Sequence, residues 1–145
     1  MICTFFGHRN TPDSVEPLLR SLLCSLIERE GVTLFYVGNH GGFDAMVVRV
    51  LSGLRERYPI SFCVVLTSFP EEKPTLPFPT VIPEGIELVP RRFAIHFRNR
   101  WMIRRSDVVV TYVTHSAASG AARCKALAER MGRRVVNLGS RSPQT

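Results

Sequence analysis

The sequence predicts a Rossmann-like three-layer α/β/α fold with a mainly parallel sheet of about five strands. Three observations predict it. Short apolar runs alternate with segments whose apolar residues recur at helical spacing. The order reads strand, helix, strand, helix, strand, irregular crossover, helix, strand, helix, strand, which is the pattern of parallel strands joined by crossovers. The size fits one core: 145 residues, 45% hydrophobic and 21% charged, in the range of a single globular domain spanning 1–145.

Each element follows from local chemistry. Ile2 to Phe6 is a short apolar run stopped by Gly7, a buried strand. Val15, Leu18, Leu19, Leu22, Leu23, Leu26 and Ile27 make a helical stripe. Ser14 is its expected N-cap, Pro17 sits harmlessly in the first turn, and Gly31 ends it. Thr33 to Val37 is the second strand, followed by the loop Gly38-Asn39-His40-Gly41-Gly42. A second helix starts near Phe43 or Asp44, with Val47, Val50, Leu51 and Leu54 on its core face, and ends before Pro59. Ile60 to Leu66 is continuous in apolar residues, as a strand covered on both faces should be. Five prolines between 67 and 83 exclude a long helix or a central strand, so 67–90 reads as an irregular crossover with a short segment at Glu84 to Val89. Phe93 to Ile103 is a helix, Asp107 to Val113 a strand, Ser119 to Met131 a helix closed by Gly132, and Arg134 to Leu138 the last strand. The tail 140–145 is expected to be loose.

No apolar run is long enough to cross a membrane, and Met1 to Phe6 lacks a basic leader. Those features favour a cytoplasmic protein. Cys3, Cys24, Cys63 and Cys124 form no CxxC pair and read as small buried hydrophobes. The net charge of +7 is uneven. Residues 1–90 hold 7 Lys and Arg against 10 Asp and Glu; residues 91–145 hold 12 against 2, a local charge of +10. A basic C-terminal part fits either an anionic partner or a solvated helix face.

In open parallel sheets, ligands sit beyond the carboxyl ends of the strands. The segments there are Gly7-His8-Arg9-Asn10, Gly38-Asn39-His40-Gly41-Gly42 and Thr114-His115-Ser116-Ala117-Ala118-Ser119-Gly120. Their glycines admit close approach of backbone N–H groups to an anion, and the following helix N-terminus adds partial positive charge. Three of the four histidines fall at this edge, without the HxH or HxxxH spacing of a metal site, so neither metal nor cofactor is expected. His96, on the crossover helix, reads as a turn or hydrogen-bonding residue. Asp44 adjoins the glycine loops as either an N-cap or a ribose-binding or general-base group, the one candidate for catalysis. Asn99 shares a helix face with Ile103 and is expected to point inward, either pinning loops or meeting ligand; Arg98 is one residue away. Arg123, one turn into the following helix, would add a cation to a phosphate site. A P-loop, a G-x-S-x-G elbow and an intact G-x-G-x-x-G are all missing.

The stretches Cys3-Thr4-Phe5-Phe6-Gly7-His8-Arg9, Gly41-Gly42-Phe43-Asp44, Arg98-Asn99-Arg100-Trp101-Met102-Ile103 with Ser106-Asp107, and Val136-Asn137-Leu138 resemble, in order, motifs of the SLOG superfamily in its DUF1273 (YpsA-like) branch. The resemblance implies a Rossmannoid fold and a nucleotide-derived ligand. Some relatives cleave nucleoside monophosphates, and DNA-processing relatives bind single-stranded DNA. Cleaving members carry a Pro-Gly-Gly loop and a Glu early in the next helix. This chain has Ala117-Ala118-Ser119-Gly120 and then Ala121-Ala122-Arg123-Cys124-Lys125 instead. The leading expectation is therefore binding or sensing of a nucleotide-like or other phosphorylated small molecule, without catalysis. An N-glycoside hydrolase comes second and a single-stranded nucleic-acid binder third. A homo-oligomer is left open.

Overall fold

The computed structural model describes residues 1–69, 78–114 and 119–140. Its elements are β1 (Ile2–Gly7), α1 (Val15–Glu30), β2 (Leu34–Val37), α2 (Gly42–Leu54), β3 (Ser61–Val65), β4 (Thr80–Val81), α3 (Ala94–Arg105), β5 (Val108–Tyr112), α4 (Gly120–Arg130) and β6 (Arg134–Asn137). Short 3₁₀ turns at Ile86–Leu88, Arg91–Phe93 and Leu138–Ser140 complete them. The six strands form one sheet in the order β4-β3-β2-β1-β5-β6, every pair parallel.

The sheet is thus α/β and Rossmann-like, with one strand more than expected. The added strand, β4, lies inside the proline-rich crossover. It occupies an edge, where a missing N–H does no harm: Val64 N–H donates to the Pro79 carbonyl and Leu66 N–H to that of Val81. Two residues of unpatterned chain carry no periodicity from which sequence could find them.

The pleat divides the apolar side chains between two cores. Phe5, Phe35, Val108 and Val110 meet the stripes of α1 and α2, including Leu19, Leu23, Leu26, Val47 and Leu51. On the other face Phe6, Val65 and Val109 meet Met102 and Ile103 of α3 and Cys124 and Ala128 of α4. Tyr36 and Trp101 pack edge to face across this second layer, their ring centroids 5.1 Å apart. Helices on both faces explain why the central strands are apolar throughout.

Helix ends agree with the sequence in place and differ in mechanism. Gly31 closes α1 at φ 72°, the left-handed conformation that glycine tolerates. Ser14 does precede α1, but its side chain makes no capping bond. The first turn is held instead by Val15 N–H to the Pro12 carbonyl and Glu16 N–H to that of Asp13. Among the described residues no helix is long and apolar enough to cross a membrane.

Candidate functional site

The chain leaves β1 for β2 on one side and later enters β5 on β1's other side. Loops that follow β1 and β5 therefore diverge, which opens a crevice at the carboxyl edge between them. A cavity of about 320 Å³ lies there, lined by Phe6, Gly7, His8, Arg9, His40, Asp44, Ile95, Arg98, Asn99, Ser119, Gly120, Ala121 and Cys124.

The walls are braced before any ligand arrives. Gly42 N–H donates to the Arg9 carbonyl at 2.8 Å, and the Thr11 hydroxyl to the His8 carbonyl at 2.7 Å. Thr114 N–H donates to His8 Nε2 at 3.2 Å, and the His8 ring stands edge-on to Tyr112. The loops beyond β1 and β5 are thereby tied together. Gly7 is required by packing, since a Cβ there would run into the Phe43 ring. On the far side Asn137 braces the end of β5: its Oδ1 accepts from the Thr111 hydroxyl and from Val113 N–H, and its Nδ2 donates to the Val113 carbonyl.

Arg98 is the centre of the site. It is 3% exposed, yet it lines the cavity. Its Nη1 donates to Asn39 Oδ1 at 2.7 Å and to the Val65 carbonyl at 3.4 Å, and lies 3.2 Å from His40 Nδ1. Because a guanidinium only donates, His40 Nδ1 accepts and carries no proton. Nε of Arg98 donates to Asn99 Oδ1 at 3.1 Å. Among the described residues Nη2 has no hydrogen-bond partner. Lost hydration pushes the His40 imidazole below its ordinary range, and the charges of Arg98 and Arg9 push it further.

Asp44 is the third residue of α2, not its N-cap; Gly41 holds that place at φ 93°. From there the carboxylate reaches back, and Oδ2 accepts the His40 N–H at 3.0 Å. Burial raises its pKa to about 6, against the opposing pull of that hydrogen bond and of the Arg98 charge. Gly38 separates the two charged groups: a Cβ there would stand 2.7 Å from Asp44 Oδ2 and 3.2 Å from Arg98 Nη1.

Of the residues marked from sequence, Gly7, His8, Arg9, His40, Asp44, Arg98, Asn99, Ser119 and Gly120 line this cavity. Others do not. Gly38, Asn39 and Gly41 line a shallower depression across Asp44, with Ala45, Val48, Val64 and Phe78. Asn39 contributes through Arg98, and Gly42 and Thr114 contribute as braces. Arg123 is exposed and lines a neighbouring groove, because one turn of α4 rotates it away from the mouth. His96 lines that groove too. His115 and Ser116 lie outside the described residues. The inward polar residue of α3 is Arg98 rather than Asn99, which is half-buried and donates to Cys124 Sγ at 3.4 Å. Helical spacing alone favours apolar partners, and Arg98 shares its face with Met102 at i,i+4, a pairing that could have revealed it.

Sequence reasoning missed Phe6, Ile95, Ala121 and Cys124 as lining residues. Cys124 is 9% exposed and its thiol is pushed up to about 11, chiefly by burial. It is a neutral wall. Among the described residues no group of three or more His, Cys, Asp or Glu could hold a metal.

At the cavity's other wall α4 begins. The Ser119 hydroxyl caps it, accepting Ala122 N–H at 3.0 Å. Gly120 and Ala121 line the cavity at the positive end of the helix dipole, opposite a buried guanidinium. The arrangement can hold an anion against a buried guanidinium in a half-open cavity. Compared with known proteins, the sequence matches no family model and no curated protein.

Proposed function

We propose that the chain binds or senses a nucleotide-derived or other phosphorylated small molecule in this cavity. The observation that carries the reading is Arg98: a guanidinium 3% exposed, anchored through Nη1 and Nε, that lines the cavity opposite the N-terminus of α4. Asp44 acts on this buried cation only from across Gly38, without a direct ion pair, so an anionic ligand would complete its compensation. Arg9 adds a second cation at the same cavity, and the resemblance to the SLOG superfamily points the same way. Thermal unfolding with inorganic phosphate and a panel of nucleoside monophosphates tests it. Stabilisation by phosphate esters, lost in Arg98→Gln, is the expected result; no stabilisation by any of them overturns the reading.

A second reading, a nucleotide N-glycoside hydrolase, is favoured by Asp44, a cavity carboxylate whose raised pKa suits proton transfer near neutrality. Release of free base from nucleoside monophosphates, abolished in Asp44→Asn, would establish it in place of binding alone. Single-stranded nucleic-acid binding is the third reading. Its signature is an affinity that falls steeply as salt rises.

A further inference from the structure

A groove of about 360 Å³ runs between α3 and α4 and shares Ile95, Asn99, Gly120 and Cys124 with the cavity, so the two spaces adjoin. Its character differs. Ile95 and Leu127 give it apolar surface, and Arg100, Arg123 and Arg130 stand around it with no carboxylate among the described residues of its lining. None of these three guanidinium groups has a hydrogen-bonded or ion-paired partner among the described residues. Arg49 pairs with Glu16, Arg134 with Glu30 and Lys125 with Glu129, so these three cations are neutralised locally where those of the groove are not. Along α4, Arg123 is about 4.5 Å of helix rise beyond Gly120 at the cavity mouth, Leu127 about 10 Å and Arg130 about 15 Å. Along α4 the cavity mouth, a first cation, an apolar surface and a further cation therefore follow one another.

We propose that the groove is a second anion subsite, and that the ligand carries two phosphates separated by a nucleoside, as in a nucleoside 3′,5′-bisphosphate. The inference rests on the phosphate reading of the cavity. One phosphate meets Arg98 and the start of α4. The ribose lies over Ile95, the second phosphate meets Arg123 and Arg100, and the base extends over Leu127 towards Arg130. Planar guanidinium forks suit phosphate oxygens and can also stack on a base, which lysines would do less well.

Calorimetric titration with inorganic phosphate, an adenosine 5′-monophosphate probe and adenosine 3′,5′-bisphosphate tests the proposal. The bisphosphate should bind at least tenfold tighter than the monophosphate. The double variant Arg100→Gln, Arg123→Gln should abolish that gain and leave monophosphate affinity unchanged. Both positions are exposed, and thermal unfolding checks that the variant folds. If the monophosphate binds and the bisphosphate gains nothing, or if the double variant weakens both alike, the second subsite is overturned and the cavity reading stands. If neither nucleotide nor phosphate binds, the cavity reading itself has failed. A 5′-phosphorylated oligonucleotide separates the sources of the same chemistry: tighter binding of the strand than of the free bisphosphate, with a steep salt dependence, would overturn the small-molecule assignment.

Discussion

Asp44 is held where the fold opposes its charge, and this gives stability a pH dependence. Its pKa is 3.8 in the unconstrained chain and about 6 when buried. Between those values the native protein keeps a proton that the unfolded chain has released. The resulting stability is complete below about pH 4 and is lost as pH rises through about 6. Wild type should therefore lose stability relative to Asp44→Asn across that window, by about 3 kcal/mol at most. Urea unfolding of both proteins at pH 4.5, 6 and 7.5 reads the difference; parallel curves would show that Asp44 feels no such burial. Gly38 makes a separate case. An added methyl would crowd both Asp44 Oδ2 and the Arg98 guanidinium. Gly38→Ala should cost roughly 1–3 kcal/mol, as overpacking does, and should lower phosphate affinity with it. A variant as stable as wild type and with undiminished binding would contradict the placement of those two side chains.

At the scale of elements, α4 is held at its start by a single side-chain cap. Its first turn carries no acidic residue to complement the dipole, so the Ser119 hydroxyl on Ala122 N–H bears more of the burden. Ser119→Ala should destabilise the protein by about 1 kcal/mol. The same change removes a hydroxyl from the cavity lining and should lower phosphate affinity severalfold. Thermal unfolding with and without phosphate measures both effects. In α1 the corresponding substitution, Ser14→Ala, should be nearly silent, since that side chain caps nothing. The pair is a control: equal effects at the two serines would mean that the capping bond at Ser119 is not what stabilises α4.

Across the whole molecule, the sheet order sets a gradient of protection. β1 is bonded on both sides, to β2 and β5, and is covered by both cores; β4 and β6 are edges. Amide hydrogen exchange should be slowest in β1, β2 and β5 and faster at β4 and β6. Mass-spectrometric exchange of peptides spanning those strands would show it, and uniform protection would contradict the gradient. The site lies over the tips of the slow strands. Its backbone is therefore rigid, and ligand binding should raise protection mostly at 8–11 and 119–122, the loop beyond β1 and the start of α4.

By itself the sequence determined the alternation of elements, the parallel sheet and the edge at which the cavity lies. Apolar periodicity and glycine placement are local properties, readable at spacings of two to four residues. It also marked most of the cavity's lining, because every βα loop of a parallel sheet ends on the same side. What only the tertiary structure decided were matters of long-range pairing. β4 exists because β3 has a free edge, which no two-residue pattern encodes. Arg98 turned inward, in place of Asn99, because Asn39, His40 and the Val65 carbonyl offer acceptors from two other elements. Arg123 left the cavity for the groove, and Cys124 entered the wall between them, because the rotation of α4 is fixed by its packing on β5 and β6 rather than by its own sequence.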